Sequence, residues 1–213
     1  MVIIFDRAHG IDVAGKRSPD SRLIEWEWSQ KFIKLLMMKL SNYNHILAIC
    51  PFIHQESEPG LSTRVETYNA LTLKYGDAFV ISPHVNAAPG EGWVNNRGAS
   101  GFEIWTSRGQ DESDHYADVF LNEIRKEFPT LNFRTDKTDG DQDKEMNFTV
   151  LWGYKLRGKE TVKAKYKAVL IENCFMTNKN DVDLLLDEYF NERLADAYVF
   201  AILKICQKKP SEG

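Results

Sequence analysis

The sequence predicts an α/β fold: a single three-layer α/β/α domain with a central mixed, mostly parallel twisted sheet flanked by helices. Two observations carry this. Short apolar runs rich in β-branched residues, at 2–5, 45–50, 78–82 and 168–171, alternate with longer segments of helical periodicity. Three of these runs end abruptly in polar side chains, as expected where strands leave an open sheet. The chain has 213 residues, 43% of them hydrophobic, enough to bury one large core. We expect one domain over 1–207 and a disordered polar tail over 208–213.

The first strand, 2–5, runs into Asp6-Arg7-Ala8-His9-Gly10, where the glycine lets the backbone turn. Gly, Pro and Asp mark 11–20 as a loop, and Asp20 or Ser21 can cap a helix over 22–40. That helix places Ile24, Trp28, Phe32, Leu35 and Leu36 at spacings of three and four. Glu25 and Glu27 fall in its first turns, where they favour the positive end of the helix dipole. Near a strand-end histidine, a carboxylate there can also point into a site. A strand over 45–50 stops at Pro51, and 52–60 is a loop containing His54. A helix over 61–75 gathers Leu61, Val65, Tyr68 and Leu71 on one face and stops at Gly76. The strand 78–82 runs into Pro83-His84-Val85-Asn86.

Residues 90–100 form a Gly- and Asn-rich loop, 101–106 a strand, and 111–128 an amphipathic helix. The polar stretch 130–145 reads as a long surface loop, and the apolar patch 146–152 has no assigned type. The strand 168–171 runs into Glu172-Asn173-Cys174-Phe175, and helices over 180–190 and 191–206 close the chain.

The formal net charge is −4, and the one dense basic cluster, 155–167, reads as a solvated loop. No nucleic-acid partner is expected. Cys50, Cys174 and Cys206 are odd in number and lack CxxC spacing, against a disulfide framework or a zinc knuckle. With no visible signal peptide and no transmembrane run, we expect synthesis in the cytoplasm and a monomer.

His9, His84 and Glu172 all stand at strand ends, and Glu25 can join them from the first helix. Read alone, His9 is a plain loop histidine. Two histidines and a carboxylate together suit a catalytic zinc ion with a fourth position open for water. Such water ionises near neutral pH, and a further carboxylate can carry its proton. No HExxH motif is present, which excludes the thermolysin-type arrangement. His45, His54 and His115 read as strand-edge, loop and solvated residues. Trp26 and Trp28 read as core and groove wall, and Cys174, without a histidine partner, as packing.

At these motifs the chain resembles the zinc-dependent N-acetylmuramoyl-L-alanine amidases of the amidase type 3 class. The residues are Phe5-Asp6-Arg7-Ala8-His9-Gly10, Glu25 at the helix start, Ser82-Pro83-His84-Val85-Asn86-Ala87, Gly101-Phe102-Glu103, Leu170-Ile171-Glu172-Asn173-Cys174-Phe175, and Leu61, Arg64 and Asn69. The resemblance implies one Zn2+ held by His9, Glu25 and His84, with Glu27 as a rival to Glu25, and Glu172 as the catalytic glutamate. It implies a peptidoglycan substrate cut between N-acetylmuramic acid and L-alanine, in wall lysis or remodelling. Loops 90–100 and 130–144 would wall the groove. Asn86, Trp93, Asn95 and Asn96 are expected substrate contacts, with ordinary loop roles as the alternative. Arg7-Ala8 and Asn173-Cys174 depart from the family's small residues. The compact chain looks like a phage-type lysin, reaching the wall by lysis or export. The alternatives are another zinc hydrolase, such as a peptidase or deacetylase, and a metal-free peptidoglycan-binding module.

Overall fold

In the computed structural model, residues 1–90, 92–93, 98–138 and 140–207 are described. The first half contains β1 (Val2–Phe5), α1 (Glu25–Leu40), β2 (Leu47–Ile49), α2 (Leu61–Tyr75), β3 (Ala78–Asn86) and β4 (Glu103–Thr106). The second half contains α3 (Glu112–Glu127), β5 (Lys144–Glu145), α4 (Thr149–Trp152), β6 (Gly153–Lys155), β7 (Thr161–Lys163), β8 (Lys167–Phe175), α5 (Lys179–Leu186) and α6 (Glu188–Gln207). Among the described residues, six strands form one sheet in the order β2-β1-β3-β8-β4-β5. β1, β2, β3 and β8 run parallel, whereas β4 is antiparallel to β8.

Alternation along the strands divides the core. Ile3, Phe5, Phe79, Ile81, Val169 and Ile171 pack against α1, α3 and α6. Val2, Ile4, Ala78, Val80, Ala168 and Leu170 face the other way, onto Tyr68 of α2 and Val150 and Leu151 of α4. Both faces are therefore covered, as a largely parallel sheet requires, and the apolar runs read in the sequence are the central strands.

Several boundaries differ from the sequence reading. α1 begins at Glu25 rather than 22, and no side chain caps it. Asp20 instead accepts from the Arg22 amide, and Ser21 takes a left-handed φ of 60°, so both residues build a turn. The third strand continues through Asn86, with Val85 buried between half-buried His84 and Asn86. Part of the loop 130–145 becomes the edge strand β5, and the basic stretch folds into the β6–β7 hairpin. Asn69 of α2 ties that hairpin down, donating to the Lys163 carbonyl at 2.9 Å and accepting from the Lys165 amide at 2.8 Å. The break between the last helices falls at Asp187, whose carboxylate accepts from the Phe190 amide. Residues 208–213, read as the tail, lie outside the described residues.

Candidate metal centre

The carboxyl ends of β1, β3 and β8 are neighbours in the sheet, so the polar residues that follow them meet. After Phe5 the chain is gripped from α2. Arg64 donates through Nη1 to Asp6 Oδ1 at 2.5 Å and to the Arg7 carbonyl at 2.6 Å. Tyr68 and Ser82 also donate to the Asp6 carboxylate, at 2.5 and 2.6 Å. Burial pushes the Asp6 carboxyl up, but Arg64, Ser82 and Tyr68 outweigh it and hold the group below the usual range.

The departure at Arg7-Ala8 has a structural account. Arg7 is buried and turns away, donating to the Gln55 carbonyl at 2.7 Å and lying 5.6 Å from the Trp26 ring centre. The Ala8 amide donates to Ser29 Oγ, which itself donates to the Pro83 carbonyl at 2.8 Å. Ser29 thus joins the ends of β1 and β3 from α1, one helical turn beyond Glu25. His9 adopts a left-handed φ of 47°. Gly10 serves close approach: a Cβ there would meet the Glu58 amide nitrogen at 2.2 Å.

His9, Glu25 and His84 form a group able to hold a metal ion, with one ligand atom from each within 4.8 Å of the others. Glu25 is 1% exposed; its Oε1 accepts from the Val85 amide at 3.0 Å and lies 2.9 Å from His84 Nδ1. The two imidazoles meet edge to face, with centres 5.2 Å apart. Glu25 Oε2 and His9 Nδ1 are buried without hydrogen-bond partners, as is Glu172 Oε2. Such orphaned atoms are costly unless a further group occupies the space. Two imidazole nitrogens and a carboxylate oxygen match the donor set of a three-ligand zinc site.

Burial lowers the basicity of His9, whereas on His84 the hydrogen bond and charge of Glu25 outweigh burial and raise it. Burial also pushes Glu25 up, but His84 more than compensates and holds it ionised.

Glu172 stands in register with His84 on β3 and with Glu103 on β4, so three titratable side chains cross the sheet in one row. Its carboxyl is pushed up to about 7, first by burial and then by Glu25 and Glu103, with His84 opposing. Like charges in directly opposed positions repel. Glu103 is neutralised by Arg134 and by Lys144, whose Nζ lies 3.0 Å away, and it accepts from Asn86 Nδ2 at 3.1 Å. Composition and periodicity gave Glu103 no role, because its register opposite Glu172 depends on the antiparallel pairing of β4.

Immediately after Glu172 the pairing slips, from His84 opposite Glu172 to Asn86 opposite Phe175. Cys174 takes the extra position with φ 66°, and the Asn173 side chain donates to the His84 and Ile171 carbonyls. Asn173-Cys174 therefore forms a bulge fixed by side-chain hydrogen bonds. Cys174 is buried, with its thiol pushed well up by burial, and packs in the core.

A cleft of about 290 Å³ opens beside the trio, lined by His9, Glu58, Leu61, His84, Phe148 and Thr149 among others. Its described wall includes 147–150, a segment to which the sequence reading gave no role. Trp93 packs partly buried against the main core, and Asn86 is engaged with Glu103. Asn95 and Asn96 lie outside the described residues. Glu27 lines a separate groove with Trp28 and Asn191, while Glu25 joins the histidines.

Residues 3–204 match the family model described as N-acetylmuramoyl-L-alanine amidase. Among solved structures, an N-acetylmuramoyl-L-alanine amidase from Clostridium difficile 630 superposes with a TM-score of 0.77 at 22% identity, covering 98% of each chain. The catalytic domain of an amidase from Bacillus (Paenibacillus) polymyxa var. colistinus gives 0.74 at 18% identity, covering 98% of this chain and 99% of that one. An amidase from Nostoc punctiforme gives 0.71 at 21% identity over 98% of each. No curated protein matches by sequence.

Proposed function

This chain belongs to the N-acetylmuramoyl-L-alanine amidase family, a peptidoglycan amidase-type group of hydrolases, and from that premise we propose that it is a zinc-dependent enzyme that cleaves the amide between N-acetylmuramic acid and L-alanine. The observation that carries this reading is the convergence of His9, Glu25 and His84, with Glu25 Oε2 and His9 Nδ1 buried and making no hydrogen bond, only longer contacts of 3.6 Å to His9 Nε2 and 3.5 Å to Glu58.

His9, Glu25 and His84 would hold the ion. When bound, zinc supplies a Lewis acid and a water that ionises near neutral pH. Glu172 accepts the proton of the attacking water and returns it to the departing L-alanine nitrogen. Burial pushes the Glu172 carboxyl up, the direction that suits a group which must both take and return a proton. Glu103, held in place by Arg134 and Lys144, stands in register beside Glu172 and adds to the upward push on its carboxyl. Phe148, Thr149 and Leu61 form the wall against which the substrate lies. Asn86 positions Glu103, and Trp93 and Asn95 are proposed substrate contacts.

The test pairs metal analysis with turnover. His9→Ala should lose bound zinc, and Glu172→Ala should retain zinc while its hydrolysis of purified peptidoglycan falls by about 10²–10⁴-fold. Full zinc binding by His9→Ala, or undiminished turnover by Glu172→Ala, would contradict the assignment.

A further inference from the structure

His9 has a second carboxylate neighbour besides Glu25. Its two ring nitrogens face different acids: Nε2 lies 3.6 Å from Glu25 Oε2, and Nδ1 lies 3.5 Å from Glu58 Oε1. Glu58 is half-buried in the loop between β2 and α2. The same Glu58 oxygen lies 3.6 Å from Arg64 Nη2. His9 Nδ1 and Arg64 Nη2 are both buried, and neither makes a hydrogen bond. Two buried nitrogens without a partner thus flank one carboxylate oxygen, a group able to accept from both.

The loops around His9 and Glu58 are stitched together on several sides. The Ile11 amide donates to the Glu56 carbonyl at 2.9 Å, and the Glu58 amide donates to Asp12 Oδ1 at 2.7 Å. Arg7, one of the departures from the family's small residues, donates to the Gln55 carbonyl at 2.7 Å. Arg64 Nε donates to the Pro59 carbonyl at 3.2 Å. Gly10 permits the close approach of the Glu58 backbone, which any side chain there would block. These contacts fix where the Glu58 side chain starts, beside the imidazole of His9.

We propose that Glu58 is a positioning residue for the metal centre: it accepts from His9 Nδ1 and so presents Nε2 toward Glu25 and the ion. The proposal rests on the zinc reading above. Coordination through Nε2 leaves the ring proton on Nδ1, which turns the partnerless nitrogen into a donor facing Glu58. A charge-assisted N–H···O contact closes to about 2.7–2.9 Å, so the two side chains need approach by less than about 1 Å. A carboxylate in that place fixes the tautomer and direction of the ring and raises the basicity of the ligand. Arg64, committed through Nη1 to Asp6 and the Arg7 carbonyl, steadies Glu58 from its other side.

The test measures zinc affinity of the full chain by competition with a chromophoric chelator, and the Tm of each zinc-free variant. Glu58→Ala should bind zinc about 10–100-fold more weakly, with a zinc-free Tm close to the parent's. Glu58→Gln, whose side-chain carbonyl can still accept from Nδ1, should recover most of that loss. Nitrogen NMR of the zinc-loaded parent should show the His9 proton on Nδ1, protected from exchange, and Glu58→Ala should lose the protection. A metal-bound Nδ1, or a Glu58→Gln variant as weak as Glu58→Ala, overturns the proposal. Parent-like zinc affinity in Glu58→Ala also overturns it and leaves the zinc reading intact, whereas a parent that binds no zinc overturns both.

Discussion

Single residues here carry charge balances that can be tested alone. Asp6 has its ordinary carboxylate pKa when unfolded and a lower one when folded. Its stabilisation is therefore full above about pH 4 and is lost as pH falls through the folded value. Urea unfolding from pH 6 to 2 should show this acid loss, and Asp6→Asn should flatten it. Arg64→Ala leaves that carboxylate buried with its charge uncompensated and should cost about 3–5 kcal/mol. Asp143 has the opposite sign. Burial, with Asp141 and Asp114 beside it, pushes its carboxyl up to about 8, against the hydrogen bond from Thr106. Its contribution is full below about pH 4 and is lost as pH rises through about 8. Asp143→Asn should remove that decline.

At the level of elements, the site depends on how strand ends are tied. Ser29 links the Ala8 amide to the Pro83 carbonyl from α1, with all three groups buried. Ser29→Ala strands a donor and an acceptor together, and unfolding should show a loss of about 1–3 kcal/mol. The central strands were legible because burial on both faces makes them continuous apolar runs, as in Val2–Phe5. The far end of β3 was not, because His84 and Asn86 alternate with Val85 and their polarity looks like a loop. The start of α1 was misplaced because Asp20 and Ser21 are good capping residues that here close a turn instead. β5 and the β6–β7 hairpin were invisible for another reason. They are two- and three-residue strands in polar sequence, held by partners distant in the chain, such as Asn69.

The whole molecule brings together side chains that the sequence separates by as many as 75 positions, from His9 to His84. The trio His9, Glu25 and His84 was legible as strand-end and helix-start residues, and the family resemblance ordered them. Glu103 stood in a family motif, but its ion pairs with Arg134 and Lys144 beside Glu172 were not legible, because sheet register and packing create them. Bound zinc should stabilise the fold by linkage, so chelation should lower Tm and zinc should restore it, with His9→Ala insensitive to both. The most direct test of the amidase reading is mass spectrometry of purified peptidoglycan digested by the zinc-loaded protein. Stem peptides with free L-alanine amino termini and intact glycan strands should be released, and should be absent with Glu172→Ala. Cleavage within the peptide or glycan, or no new L-alanine termini from zinc-replete protein, would contradict it.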